Sequence, residues 1–182
     1  MLSNEGGYVD NPHDPGGETY MGVARKKWPN WEGWDRIDLY KVNSNAFPEV
    51  LERDAAIKGY VKDFYRTNFW LKVMGDRLDN QDLATFLFDT AVHLGPPRAV
   101  LFLQQALNVL NERQKLYADI SEDGAMGAQT MAAVLNYKQH RPPNYLRKTL
   151  IILRGAYYIE RVQQREESEI FLRGWLNRLK LR

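Results

Sequence analysis

Six side chains able to give, take or hold a proton fall close together at the start of the chain: Glu5, Asp10, His13, Asp14, Glu18 and Thr19. The stretch that carries them, Glu5 to Gly22, also holds five glycines and two prolines, a composition that works against a helix. Gly6-Gly7 suits the end of a helix that closes at Glu5, and Asn11-Pro12 and Asp14-Pro15-Gly16-Gly17 are turn signals. The expected local structure is therefore a loop or short hairpin that sets polar groups at defined points on a rigid base. Carboxylates so placed can protonate a leaving group, deprotonate water or attack an electrophilic carbon. Ordinary turn chemistry also selects Asp, Gly and Pro, so an acidic surface turn is the alternative, and spacing alone gives no more than carboxylates on a loop.

The order Glu5, Asp14, Thr19 resembles the Glu…Asp…Thr triplet of phage-type lysozymes, with the Asp-to-Thr step one residue shorter here. The longer string, Glu5-Gly6-Gly7-Tyr8-Val9 through Asp14-Pro15-Gly16-Gly17-Glu18-Thr19 to Gly22-Val23, is similar to the muramidases of glycoside hydrolase family 108. The closing Phe171-Leu172-Arg173-Gly174-Trp175-Leu176-Asn177-Arg178 looks like the C-terminal signature of the same family. Leu103-Gln104-Gln105-Ala106-Leu107-Asn108, followed by Asp123-Gly124, Gly127 and Thr130, resembles small helical peptidoglycan-binding modules.

These resemblances imply hydrolysis of the β-1,4 bond between N-acetylmuramic acid and N-acetylglucosamine. Glu5 is then the general acid, kept protonated by desolvation at a helix end. Asp14 is the second carboxylate that glycoside hydrolysis requires, and Thr19 holds the attacking water. Whether Asp14 acts as base, nucleophile or electrostatic support depends on its distance from Glu5, which sequence does not contain.

The elements that must position these groups read as mainly helical. The resemblance implies a lysozyme-like fold with a short irregular or β-hairpin loop after the first helix. Residues 23–45 read as irregular, with Trp28, Trp31 and Trp34 at every third position around Pro29 and Gly33. With Tyr8 and Tyr20 they are candidate sugar contacts, because aromatic faces stack on sugar C–H surfaces. The competing reading is an aromatic core patch with one ring exposed.

Apolar periodicity predicts helices over 47–68, 83–94, 98–110, 124–135, 145–164 and 166–180. A polar hinge is expected at 78–82 and a polar loop at 111–123. The 83–94 helix is apolar on most sides, hence buried, with Asp89 and His93 on one face as expected partners. We expect a lysozyme-like catalytic region at 1–90 and a helical peptidoglycan-binding-like region at 91–182, packed as one cooperative unit and acting as a monomer.

Composition bounds the rest. The 182 residues contain no cysteine, which excludes thiol nucleophiles and disulfide scaffolds. His13, His93 and His140 show no metal-ligand spacing, and no cofactor is expected. Net charge is +2 but uneven: residues 141–182 carry 10 Lys+Arg against 4 Asp+Glu, a net of +6, as suits either a solvated helix face or an anionic partner such as nucleic acid, a phospholipid surface or a cell wall. The arginines are scattered among apolar helical positions, which speaks against nucleic acid. No run approaches a membrane span, and Met1-Leu2-Ser3-Asn4 leads into the motif without a signal peptide. Action on the wall would then depend on another export route, such as phage-type release through a membrane lesion. Two rivals remain at this point: a lytic transglycosylase and a non-catalytic wall-binding protein.

Overall fold

The computed structural model describes residues 7–11 and 16–179. It is mainly helical, with a small antiparallel sheet near the start. Packing divides the chain into two compact units, Met1–Asn68 and Phe69–Arg182.

The first unit holds strands β1 (Tyr8–Val9), β2 (Thr19–Tyr20) and β3 (Val23–Ala24), then helices α1 (Gly33–Asn43) and α2 (Ala55–Tyr65). Tyr8 pairs with Tyr20 and Val9 with Thr19, while Thr19 faces Ala24 and Tyr20 faces Val23. The β2–β3 turn is Met21-Gly22, both at positive φ (43° and 81°). That is the geometry of a two-residue turn matching strand twist. Met21 is a costly residue there, and the Tyr65 hydroxyl donates to its carbonyl at 2.9 Å.

Two expectations change in this unit. Residues 33–43 form α1, whereas 23–45 read as irregular. Gly33 looked like a breaker, yet it opens the helix because the Trp31 ring lies over it: a Cβ there would come within 2.2 Å of Trp31 Cη2. Leu39 and Val42 are exposed, so the helix shows little amphipathic period. The expected 47–68 helix is broken at Asp54, whose extended backbone separates a 3₁₀ turn, Glu49–Arg53, from α2. Asp54 caps α2 by accepting from the Ala56 and Ile57 amides at 2.8 and 3.3 Å.

The second unit contains α3 (Gln81–Leu94), α4 (Pro96–Val109), α5 (Ala128–His140), α6 (Pro143–Gln164) and α7 (Glu169–Asn177). The polar 78–82 stretch is a cap rather than a hinge: Asn80 Oδ1 accepts from the Leu83 amide at 2.8 Å. α3 buries Leu83, Ala84, Leu87 and Ala91 and packs along α4, from which Gly95 alone separates it. Gln104, buried in α4, ties down the following loop. Its amide donates to Asp123 and Ala125, and its carbonyl accepts from the Gly124 amide at 2.8 Å. Gly124 has φ +71°, and a Cβ would meet the Pro97 carbonyl oxygen at 2.8 Å.

Asp89 does not take His93 as its partner. Its ion pairs are with Arg154 of α6 at 2.7 Å and Arg178 at 3.4 Å. Arg154 is fully buried in the stripe Leu146, Leu150, Arg154, Tyr158, where the apolar pattern gave no sign of a cation. Arg154 Nε donates to the Tyr158 hydroxyl, which shares a hydrogen bond of 2.9 Å with His93 Nδ1. Among the described residues, no helix is long and apolar enough to cross a membrane.

Candidate active site

Of the three expected catalytic residues, Glu5 and Asp14 lie outside the described residues, as does His13. Thr19 stands on the central strand, half-buried. Its hydroxyl donates to the Gly17 carbonyl at 3.2 Å. With the proton committed there, the oxygen's lone pairs are left to accept from a water.

The base beneath Thr19 is fixed from several sides. Tyr20 is 2% exposed, stacks on Trp31 with centroids 6.4 Å apart, and donates its hydroxyl to the Leu51 carbonyl at 3.3 Å. Glu18 is bound by Arg25 at 2.8 Å and Lys41 at 2.7 Å. Burial works to raise its carboxyl, but the bonds from Lys41 and Arg25 outweigh it and hold the group below its ordinary value. Glu18 is therefore an ionised strut, unsuited to general acid chemistry. Arg25 also chelates Asp38 of α1, so the Gly16–Ala24 hairpin is clamped to α1 by charge-assisted bonds. Tyr8 packs edge-on to Phe47 at 4.7 Å with Lys41 5.4 Å from its ring. Glu18, Asp38 and Lys41 were not separable in the sequence from other surface charges. Only the position of Glu18 beside Thr19 hinted at a part in the site.

The three tryptophans divide. Trp34 is 1% exposed, donates its indole N–H to the Trp28 carbonyl at 2.8 Å, and lies under the Arg25 guanidinium. Trp34 and Tyr20 thus offer no open ring face, and their place is beneath the surface. Trp28 and Trp31 remain partly exposed and line a groove of about 440 Å³ together with Tyr60, Asp63 and Asn68, within the size range of ligand sites. Trp28 is braced edge-on by Phe64 at 4.9 Å. Trp31 is braced by Trp34 at 5.1 Å and donates its N–H to the Tyr60 carbonyl at 3.3 Å. Two braced indoles beside amide and carboxylate groups suit a sugar, which presents C–H faces and hydroxyls together. Tyr60, Asp63 and Asn68 fall within the expected 47–68 helix, where the apolar period did not mark them as lining residues.

The glycosyl hydrolase 108 family profile matches residues 1–95, which include Glu5, Asp14, Thr19 and both groove tryptophans. A second profile, described as a predicted peptidoglycan domain, matches residues 98–180. Among solved structures, Brucella abortus SagA is similar at 30% identity, over 98% of this chain and 84% of that one, with a TM-score of 0.63. Comparison with curated proteins finds no match.

Proposed function

The chain belongs to glycosyl hydrolase family 108, and from that premise we propose that it is a peptidoglycan N-acetylmuramidase, cleaving the β-1,4 bond between N-acetylmuramic acid and N-acetylglucosamine. The observation that carries the reading is the groove lined by Trp28 and Trp31 within the segment matched to the hydrolase family. The predicted peptidoglycan domain over 98–180 points to the same polymer.

In this reading Glu5 protonates the glycosidic oxygen as the bond breaks, and Asp14 supplies the second carboxylate. Thr19 accepts from the attacking water, using the lone pairs left by its bond to Gly17. Trp28 and Trp31 stack on the sugar and hold the scissile bond in place, converting binding into orientation. Acting on intact wall, such an enzyme is bacteriolytic in the manner of an endolysin. The protein acts alone on glycan strands, without nucleic acid or cofactor.

Mass spectrometry of soluble products from purified walls tests this. Muropeptides ending in a hydrated, reducing N-acetylmuramic acid are expected. Anhydro-sugar ends would assign the chain to lytic transglycosylase chemistry instead, and reducing N-acetylglucosamine ends would place the cut at the other bond.

A further inference from the structure

A second groove, of about 270 Å³, lies wholly within the second unit, between the start of α3, the end of α5 and the start of α6. Its floor is Leu83, Phe86, Val134, Leu146 and Leu150, and its edge carries Asp79 and Asp82 on one side and Lys138 and Arg147 on the other. We propose that this groove binds the stem peptide of peptidoglycan, a short peptide with methyl side chains, free carboxylates and an ammonium group. The proposal rests on the peptidoglycan reading above and assigns the peptide, rather than the glycan, to this place.

The chemistry of the lining separates the two parts of the polymer. The first groove offers indole faces. Here the apolar lining is aliphatic apart from Phe86, whose ring carries the Arg154 guanidinium 5.5 Å from its centroid, and Tyr137, which is 2% exposed, so aliphatic carbon rather than an indole face dominates. Aliphatic side chains suit methyl groups, whose burial is favourable by about 0.8 kcal/mol per carbon. The edge complements a zwitterion: acids at the start of α3 meet an ammonium, and bases on α5 and α6 meet carboxylates. The Asp79–Lys138 ion pair bridges the two sides with both side chains more than half exposed. Exposed pairs contribute only about 0–1 kcal/mol, so a ligand carrying both charges exchanges one pair for two at small cost. The groove also needs both matched segments, since Leu83 and Phe86 lie in the hydrolase match and Val134 to Leu150 in the peptidoglycan match.

The test is a titration of the full-length protein, with methyl resonances of Leu83, Val134 and Leu150 as the readout. The probes are a free stem tetrapeptide and, separately, peptide-free glycan oligomers. The tetrapeptide should shift these methyls, the glycan should not, and Lys138→Glu should weaken tetrapeptide binding at least tenfold with an unchanged melt. Absence of shifts at millimolar tetrapeptide, shifts from glycan instead, or undiminished binding by folded Lys138→Glu would each overturn the assignment. Wall digestion by the wild type is read alongside. Digested walls with no peptide shifts sink the groove assignment alone. Undigested walls with the peptide still bound sink the muramidase reading and leave the groove assignment standing.

Discussion

At the scale of residues, an aromatic side chain contributes to sugar binding only through a face that is both open and held. Trp28 meets both conditions: it lines the groove and is braced by Phe64. Trp28→Ala should raise KM for solubilised glycan about tenfold, which corresponds to roughly 1.4 kcal/mol, with a smaller change in kcat. Steady-state kinetics on defined oligomers checks this, and an unchanged KM would mean that the groove is not a sugar site. The sequence made the tryptophan repeat visible but not its division. Trp34 and Tyr20 differ from Trp28 and Trp31 in being 1% and 2% exposed, and for Trp34 that burial belongs to α1, an element the local pattern hid.

At the scale of elements, single polar residues decide where helices start and how they respond to acid. Burial works to raise the Asp54 carboxyl, but bonds from Arg36, Tyr40 and the Ile57 and Ala56 amides hold it down to about 2. Against an ordinary value of 3.8, at about 1.36 kcal/mol for each pH unit, this contributes on the order of 2 kcal/mol above pH 4. Because the folded pKa is depressed, that contribution is lost as pH falls from about 4 towards 2. Asp54→Ala also removes a helix cap, worth about 0.5–2 kcal/mol. Urea unfolding at pH 7 should show a loss of about 2 kcal/mol or more, and the mutant should lose less than wild type on acidification below pH 4.

The second unit is sensitive in another window. Burial, then the nearby Arg178 and Arg154, push His93 down to about 4 from 6.5. The unfolded chain therefore binds a proton that the folded chain refuses, and stability present above pH 6.5 fades as pH falls towards 4. Thermal melts between pH 7 and 4 should show this decline, and His93→Gln should flatten it. Capping by Asn80 was hard to read because its polar stretch serves equally well as a hinge, and capping by Asp54 because the apolar period runs on past it from 47 to 68. The buried Arg154 was invisible because an arginine at a core position looks, in sequence, like a surface one.

At the scale of the molecule, sequence kinship and packing divide the chain at different points. The family matches part between residues 95 and 98, whereas the compact units part at Asn68–Phe69. The difference is α3, which belongs to the hydrolase match but packs along α4 and bonds to α6 through Asp89, Thr90 and His93. A fragment of residues 1–95 leaves Leu83, Leu87 and other apolar side chains of α3 without those neighbours, at about 1.5–3 kcal/mol for each large one. Set against a total stability of about 5–15 kcal/mol, this should make the fragment insoluble or molten, and inactive. A soluble 1–95 fragment that melts cooperatively and digests walls would show that the hydrolase segment folds without α4 and α6. The helical class and most helices after residue 80 were legible because their apolar faces repeat at 3.6 residues. The first unit was less so, since clamps such as Glu18–Arg25–Asp38 join residues that the sequence shows only as scattered charges.

The most direct measurement of the central claim is clearance of a purified wall suspension by Glu5→Gln, with circular dichroism confirming the fold. Loss of a general acid lowers rates by about 10²–10⁴. The expected result is a folded protein that binds walls and leaves turbidity unchanged. Clearance by Glu5→Gln at the wild-type rate would contradict it.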